Sequence, residues 1–359
     1  MQIPGQIQID LNELERNFKT IQKAVGRSDV AAVVKADAYG LGMSRIARKL
    51  KKIGCQHFFV ASLDEGRGLR ETLGSKASIY VLAGLGKGEN RYYLNYKLTP
   101  VLNSLEQLES VRSLLRSDPK KGFAINIDTG MNRLGLASDD FVLAISELDN
   151  LTQNAELVMT HLVESDKPSS DKNVLQLKKF NELAKFLPHA KKSIANSGGI
   201  ALGRHFHLDL VRPGISLYCA KTLSNKSATS NTFKITTPII QIRDIKNNET
   251  IGYDSTYKVA KGDRVAIIPC GYADGLHRSL SSKGTLFIGK HEVPIIGRVS
   301  MDLAALDISQ IKHEQINIGD EVIISDEFRS IERLAIAAET ISYELMTQLG
   351  NRWRKIYKN

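Results

Sequence analysis

Cysteine is scarce in this chain, with three in 359 residues, at Cys55, Cys219 and Cys270. They are far apart in sequence and form neither a CxxC redox pair nor a disulfide framework, so they read as buried or half-buried free thiols. Long apolar runs are lacking too, and no segment reaches the length of a transmembrane helix. Met1 to Asp10 has no basic region, apolar stretch or cleavage site of a secretory signal. These absences argue against a disulfide-stapled secreted domain and a helical membrane protein, and a soluble cytoplasmic chain is expected. The eight histidines show no metal-ligand spacing backed by cysteine or carboxylates, so no metal is expected.

Lysine and arginine exceed aspartate and glutamate by 49 to 39, a net charge of +10. A basic balance can signal nucleic acid or an acidic membrane. Here the basic clusters are short, Lys49, Lys51 and Lys52, then Arg352, Arg354, Lys355 and Lys358. No aromatic platform interleaves them. Solvated helix faces account for them, and neither nucleic acid nor membrane is an expected partner.

The length, with 42% hydrophobic residues, suits two domains with sizeable cores. The first two-thirds alternate short apolar runs with segments of helical period. The runs are Val30–Val34, His57–Ala61, Ser78–Leu82, Thr99–Leu102, Phe123–Ile127, Leu157–His161, Ser193–Ala195 and His207–Val211. Leu11, Leu14, Phe18, Ile21 and Val25 share one helix face, behind Asp10 and Glu13 spaced as an N-terminal cap. Ile46, Leu50 and Ile53 share another, and Val174, Leu177 and Phe180 a third. Eight strands alternating with helices fit a (β/α)₈ barrel, and a doubly wound sheet shows the same alternation. In a barrel, chemistry is expected at the carboxyl ends of the strands.

The polar stretch Lys221 to Thr232 reads as a surface loop or domain boundary. Beyond it come short β-rich runs at Ile239–Ile242, Val265–Ile268, Thr285–Ile288, Val293–Ile296 and Val322–Ile324. Turns at Gly262-Asp263, Gly289-Lys290 and Gly319-Asp320 punctuate them. A mostly antiparallel β domain is expected, ending in one helix from about Ile331 to Leu349. The expected division is residues 1–225 for the barrel and 226–359 for the β domain.

Lys35 follows the apolar run Ala31–Val34, in AVVKADAYGLG. An ammonium there is costly to desolvate. Two readings compete, a Schiff-base lysine whose amine is made nucleophilic by partial burial and a lysine snorkelling from the strand end. Tyr39, Gly40 and Gly42 form a small turn with a phenol in reach, which favours the first. IDTGMNRLGL follows the fifth strand, and Arg133 sits in its Gly-containing loop, suited to clamping a carboxylate. His161 ends the sixth strand and, alone, reads as a structural histidine. ANSGGI after the seventh strand carries Ser197 among small residues that suit an anion, or a plain turn into a helix. VRPGIS after the eighth strand carries Arg212, Gly214 and Ile215. In IGYDSTY, Tyr253 alone reads as a strand aromatic.

Taken in order, these motifs closely resemble those of alanine racemases, a fold-type III pyridoxal 5'-phosphate family. GYADG and GRVSMD match as well, so the resemblance covers nearly the whole chain. It implies a (β/α)₈ barrel followed by a mostly antiparallel β domain, and interconversion of L- and D-alanine for peptidoglycan synthesis. It implies that Lys35 carries the cofactor and that Tyr39, Ser197, Gly214 and Ile215 hold its phosphate. His161 would support the ring, and Arg212 would face the pyridine nitrogen. Arginine does not readily give up a proton, so that nitrogen would stay unprotonated and the electron sink weak, limiting side reactions. Arg133 and the backbone N–H of Met301 would hold the substrate carboxylate, and Tyr272 would line the entrance. Lys35 and Tyr253 would be the two bases on opposite faces, the lysine acting on D-alanine and the tyrosine on L-alanine. A tyrosine normally titrates near ~10 and needs help to act as a base. The family arrangement implies a homodimer that supplies Tyr253 and Met301 from the partner.

Three positions depart from the family pattern. Leu41 replaces a frequent histidine. Asn126 stands where many members carry a lysine, carbamylated in some, so another group or an anion must support Arg133. Asn351 stands where some members have a phosphate-contacting tyrosine, and that role is not transferred. A broader amino-acid racemase, a decarboxylase of the same fold and a non-catalytic cofactor carrier are the competing readings. The complete second domain and the Tyr253 motif disfavour the carrier.

Overall fold

The computed structural model describes residues 5–224 and 227–359. The expected domain boundary at 225/226 lies outside the described residues, as does the start of the N-terminal segment searched for a signal. The chain divides into two compact units. One comprises Leu14–Ala38 and Met43–Ser230, and the other the N-terminal stretch through Glu13, Tyr39–Gly42 and Asn231–Asn359. Among the described residues, no helix is long and apolar enough to cross a membrane.

The first unit is the barrel. Seven parallel strands follow in chain order, Ala32–Val33, His57–Val60, Ser78–Val81, Thr99–Leu102, Phe123–Asn126, Ala155–Met159 and Lys191–Ser193. The ring closes through Leu210–Val211, which pairs parallel with Asp29–Val30. On its other side the Asp209 N–H bonds the Lys192 carbonyl at 3.1 Å, and the Arg212 N–H bonds the Ala195 carbonyl at 2.8 Å. Central strands such as Thr99–Leu102 and Phe123–Asn126 are buried along their whole length. That explains their continuous rather than alternating apolarity, because parallel strands here face side chains inside and helices outside.

The helix Leu11–Val25 buries Leu11, Leu14, Phe18, Ile21 and Val25, as its period predicts. Asp10 caps it, its carboxylate accepting the N–H groups of Asn12 and Glu13, each at 2.8 Å. The helix Asp171–Leu183 corrects its prediction. Val174 is 62% exposed, and the buried residues are Asn173, Gln176 and Phe180. Polar groups won that face because the loop after His161 leaves backbone groups that need partners. The Gln176 amide donates to the His161 carbonyl and accepts the Val163 N–H, while Asn173 donates to the carbonyls of Glu164 and Lys167. His207, expected in the last strand, instead ends the helix Arg204–His207, and its Nε2 donates to the Ile200 carbonyl.

The second unit is built on a nine-stranded sheet. Its order is Gln241–Asp244, Arg264–Ile268, Ala304–Asp307, His291–Ile296, Thr285–Ile288, Glu321–Ser325, Phe233–Pro238, Gln6–Asp10 and Arg354–Lys358. Pairing is antiparallel except between the last two. The sequence reading assigned neither of those strands. Gln6–Asp10 buries only Ile7 and Ile9, a period of two over five residues, and Arg354–Lys358 is highly charged. The expected single C-terminal helix is two, Ile331–Ala337 and Ser342–Thr347. Glu339 breaks it with a φ of +58°.

Tyr39–Gly42 belongs to this second unit, where the Tyr357 hydroxyl donates to the Leu41 carbonyl at 3.0 Å. Gly40 has a φ of +81°, and a Cβ there would lie 2.2 Å from the Met346 carbonyl oxygen. Replacement Gly40→Ala combines a disfavoured backbone with a clash against fixed main chain. It is expected to destabilise the chain by about 2–3 kcal/mol, read as a lower urea midpoint. An unchanged midpoint would contradict this packing.

Candidate functional site

Lys35 lies just beyond the strand Ala32–Val33, at the carboxyl end of the barrel. The four residues after it, Ala36, Asp37, Ala38 and Tyr39, have φ between +51° and +59°. Each such non-glycine residue costs about 1–2 kcal/mol, so the turn must be held from outside. Glu65 holds it. One carboxylate oxygen accepts the Ala36 N–H at 2.7 Å, and the other accepts the Ala61 N–H at 2.7 Å. Glu65 also closes a capping box with Ser62 on the helix Leu63–Leu73. Further along the turn, Asp37 accepts the Met43 N–H at 2.7 Å.

Burial pushes the Lys35 ammonium below the usual lysine range, and the Arg133 charge pushes the same way; Glu65 opposes both. His161 is lowered to about 3 by burial and by the charges of Arg212, Arg133 and Lys35. It is therefore neutral at ordinary pH. Arg212 is fully enclosed and lowered by burial to about 10, so it stays charged. Its guanidinium donates to the Ser193 hydroxyl and the Thr160 carbonyl, and lies 6.0 Å from the Phe59 ring centre. The structure thus brings together Lys35, Arg133, His161 and Arg212 from four strand ends.

The Arg133 loop is fixed through its backbone. The Asp128 carboxylate accepts the N–H groups of Gly130, Met131 and Arg133 at 2.7, 2.9 and 3.1 Å. Those bonds hold its acid below the usual carboxylate range against the opposing effect of burial. Asn126 is buried, and its amide donates to the Leu134 carbonyl and to Asn103 Oδ1, both at 3.0 Å. A neutral amide at Asn126 therefore ties down the residue after Arg133.

Ser197 opens the helix Ser197–Ala201, capped by Asn196. Its hydroxyl oxygen accepts the Gly214 N–H at 3.0 Å and the Ser216 N–H at 3.2 Å, with the Ser216 hydroxyl at 3.0 Å. Ile215 begins the short helix Ile215–Tyr218 between them. Donors from the eighth strand end thus gather at the Ser197 hydroxyl, which follows the seventh, a cluster that suits an anion.

In the second unit, Tyr39 is buried with its ring 5.9 Å from that of Tyr343. Tyr253, Tyr272 and Met301 are 68%, 43% and 54% exposed. They share one support. The Tyr272 and Ala273 N–H groups bond the carbonyls of Ser300 and Met301, each at 3.0 Å. Gly252, before Tyr253, packs against Arg298. Arg352 spans Asp274 and Asp302 at 2.7 Å each, tying the Tyr272 turn to the Met301 segment.

Sequence reasoning missed Glu65, Ser216, Gln176 and Arg352. Ser62-x-x-Glu65 after the second strand is a capping-box spacing and was a readable signal. The other three act through tertiary bonds that no local pattern marks.

Residues 9–222 match the family model described as alanine racemase, N-terminal domain, and residues 232–357 match the alanine racemase C-terminal domain. An alanine racemase of Brucella ovis is 39% identical, over 98% of this chain and 93% of its own. One from Rickettsia peacockii is 37% identical, over 98% of both. Among solved structures, the alanine racemase of Bartonella henselae with covalently bound pyridoxal phosphate superposes with a TM-score of 0.93 at 32% identity. That match covers 98% of this chain and 99% of the other.

The neutral state of His161 has a consequence for acid stability. Its folded value of about 3 lies below the ordinary 6.5. Between those values the unfolded chain binds the extra proton, so this contribution is complete above pH 6.5 and is lost as pH falls toward 3. Replacement His161→Gln is expected to flatten the dependence of unfolding free energy on pH in that window, by up to about 1.4 kcal/mol per unit. Equal slopes in the two proteins would contradict the buried neutral imidazole.

Proposed function

This chain belongs to the alanine racemase family, and from that premise we propose that it interconverts L- and D-alanine with pyridoxal 5'-phosphate, using Lys35 and Tyr253 as its two bases. The observation that carries the reading is the cationic group at the barrel mouth, with one amine driven toward its neutral form. The residues present fit the cofactor. The Gly214 and Ser216 N–H groups and the Ser216 hydroxyl, now donating to Ser197 Oγ, are donors that a phosphate oxygen beside that hydroxyl would take over. The groups around Lys35 suit a ligand rich in negative charge.

In this reading Lys35 would hold the cofactor through Nζ, and Tyr39, Ser197, Gly214 and Ile215 would be the residues that hold its phosphate. His161 would support the ring, and Arg212, always a donor, would serve the pyridine nitrogen and keep it unprotonated. The cofactor, when bound, supplies an electron sink that acidifies the Cα–H bond of an amino acid. Arg133 binds the alanine carboxylate together with the Met301 N–H. Lys35 Nζ takes or gives the Cα proton on the face that serves D-alanine, and Tyr253 Oη does so on the face that serves L-alanine. Tyr272 lines the entrance. A group on each face means that neither proton has to travel around the substrate.

Tyr253, Tyr272 and Met301 are exposed on a rigid support. We assign them to the Lys35 site of a second copy, making a homodimer the complete catalyst. The same reading has the enzyme supplying D-alanine for peptidoglycan in the cytoplasm.

A chiral assay with L-alanine is expected to yield equal amounts of both enantiomers, and Tyr253→Phe is expected to abolish this while cofactor absorbance remains. Mixing inactive Lys35→Ala and Tyr253→Phe chains tests the shared site. Half of the dimers formed are mixed and carry one intact site, so about a quarter of the activity returns. No product from the unaltered protein would overturn the racemase reading; no recovery on mixing would overturn the shared site.

A further inference from the structure

The lysine proposed to carry the cofactor sits on a strained turn, and its fixed point lies on another strand and helix. Glu65 is the third residue of the helix Leu63–Leu73, which follows the second barrel strand. Its two oxygens divide their bonds. Oε1 takes the Ala36 N–H, the first peptide after Lys35, and Oε2 takes the Ala61 N–H at the end of the second strand and, at 3.4 Å, the Ser62 N–H. One carboxylate thus bridges the ends of two adjacent parallel strands.

A helix N-terminus commonly binds its own capping box and nothing more. Here the box residue reaches outside its helix, to a peptide whose next four residues are left-handed. Without that acceptor the Ala36 N–H would lose its partner and the turn its tie to the strand beside it. The charged groups acting on the Lys35 amine are Arg133 and Glu65. His161 and Arg212 stand in the same group, and Asp37 on the turn itself bonds the Met43 N–H. Glu65 is therefore the anion that acts on the Lys35 amine, opposing the Arg133 charge.

We propose that Glu65 is the positioning residue for Lys35: its carboxylate pins the turn that aims the amine and supplies the negative charge that faces it. The proposal rests on the assignment of Lys35 as the cofactor lysine. Two separable effects follow. Pinning sets how fast a correctly aimed amine attacks, and the charge sets the pH at which that amine becomes neutral. A carboxamide at position 65 keeps the size and offers one acceptor, but its NH₂ would meet the second N–H, and its charge is gone. A shorter aspartate keeps the charge but cannot span both peptides.

The test uses the full chain freed of cofactor, mixed with pyridoxal 5'-phosphate. The rate of imine absorbance is followed across pH for the unaltered protein, Glu65→Gln, Glu65→Asp and Lys35→Ala. For Glu65→Gln the high-pH plateau rate is expected to fall about tenfold or more, and the midpoint to move to lower pH. For Glu65→Asp the plateau should fall while the midpoint stays near that of the unaltered protein. Circular dichroism identifies any variant that fails to fold, in which case the other carries the decision. An unmoved plateau and midpoint in folded variants would overturn the proposal, reducing Glu65 to a helix cap. Imine absorbance persisting in Lys35→Ala would instead overturn the assignment of Lys35, and the proposal with it.

Discussion

Charge crowding governs the carboxyl end of the barrel. The Lys35 amine, the His161 imidazole and the Arg212 guanidinium share a partly desolvated space, the exposed Arg133 adds its charge, and the cations make the protonated forms of Lys35 and His161 more costly. The groups do not yield equally. Arg212 stays a cation even when fully enclosed, because burial lowers it only to about 10. His161 is lowered to about 3, and Lys35 is lowered from the usual lysine range. The lowered Lys35 amine and the neutral His161 imidazole share their causes, burial and neighbouring positive charge. The same crowding makes the mouth receptive to a phosphate and a carboxylate, the anionic groups that the proposed chemistry brings there.

The crowd is tolerable because the loops that hold it are tied by neutral or anionic polar groups from elsewhere. Asp128 gathers three N–H groups under Arg133, and Asn126 holds the Leu134 carbonyl. Gln176 clasps the backbone on both sides of Leu162, just after His161. Glu65 anchors the left-handed turn after Lys35. Each tie fixes a loop through its backbone and leaves the side chain it carries to the site. The second unit uses the same device, with Arg352 joining the Tyr272 turn to the Met301 segment while both side chains remain exposed.

Much of the barrel was legible because buried parallel strands are short apolar runs, and Thr99–Leu102 could be bounded to the residue. The candidate residues of the barrel, Lys35, Arg133, His161, Ser197 and Arg212, stood out because they follow the ends of such runs. What was lost was lost for physical reasons. The helix Asp171–Leu183 put Asn173 and Gln176 inward, since unpaired loop peptides outweighed the apolar period through Val174. Gln6–Asp10 and Arg354–Lys358 become strands only by pairing across the length of the chain. The break at Glu339 comes from a left-handed residue that has no glycine to mark it. The answer to Asn126 was likewise tertiary. Its amide reaches Asn103 on one side and the Arg133 loop on the other.

The most direct test of this account is chemical. Borohydride reduction of the pyridoxal 5'-phosphate-loaded protein, followed by proteolysis and mass spectrometry, fixes the cofactor to whichever amine carries it. The account predicts a single reduced adduct, on the peptide containing Lys35. An adduct on any other lysine, with Lys35 unmodified, would contradict it.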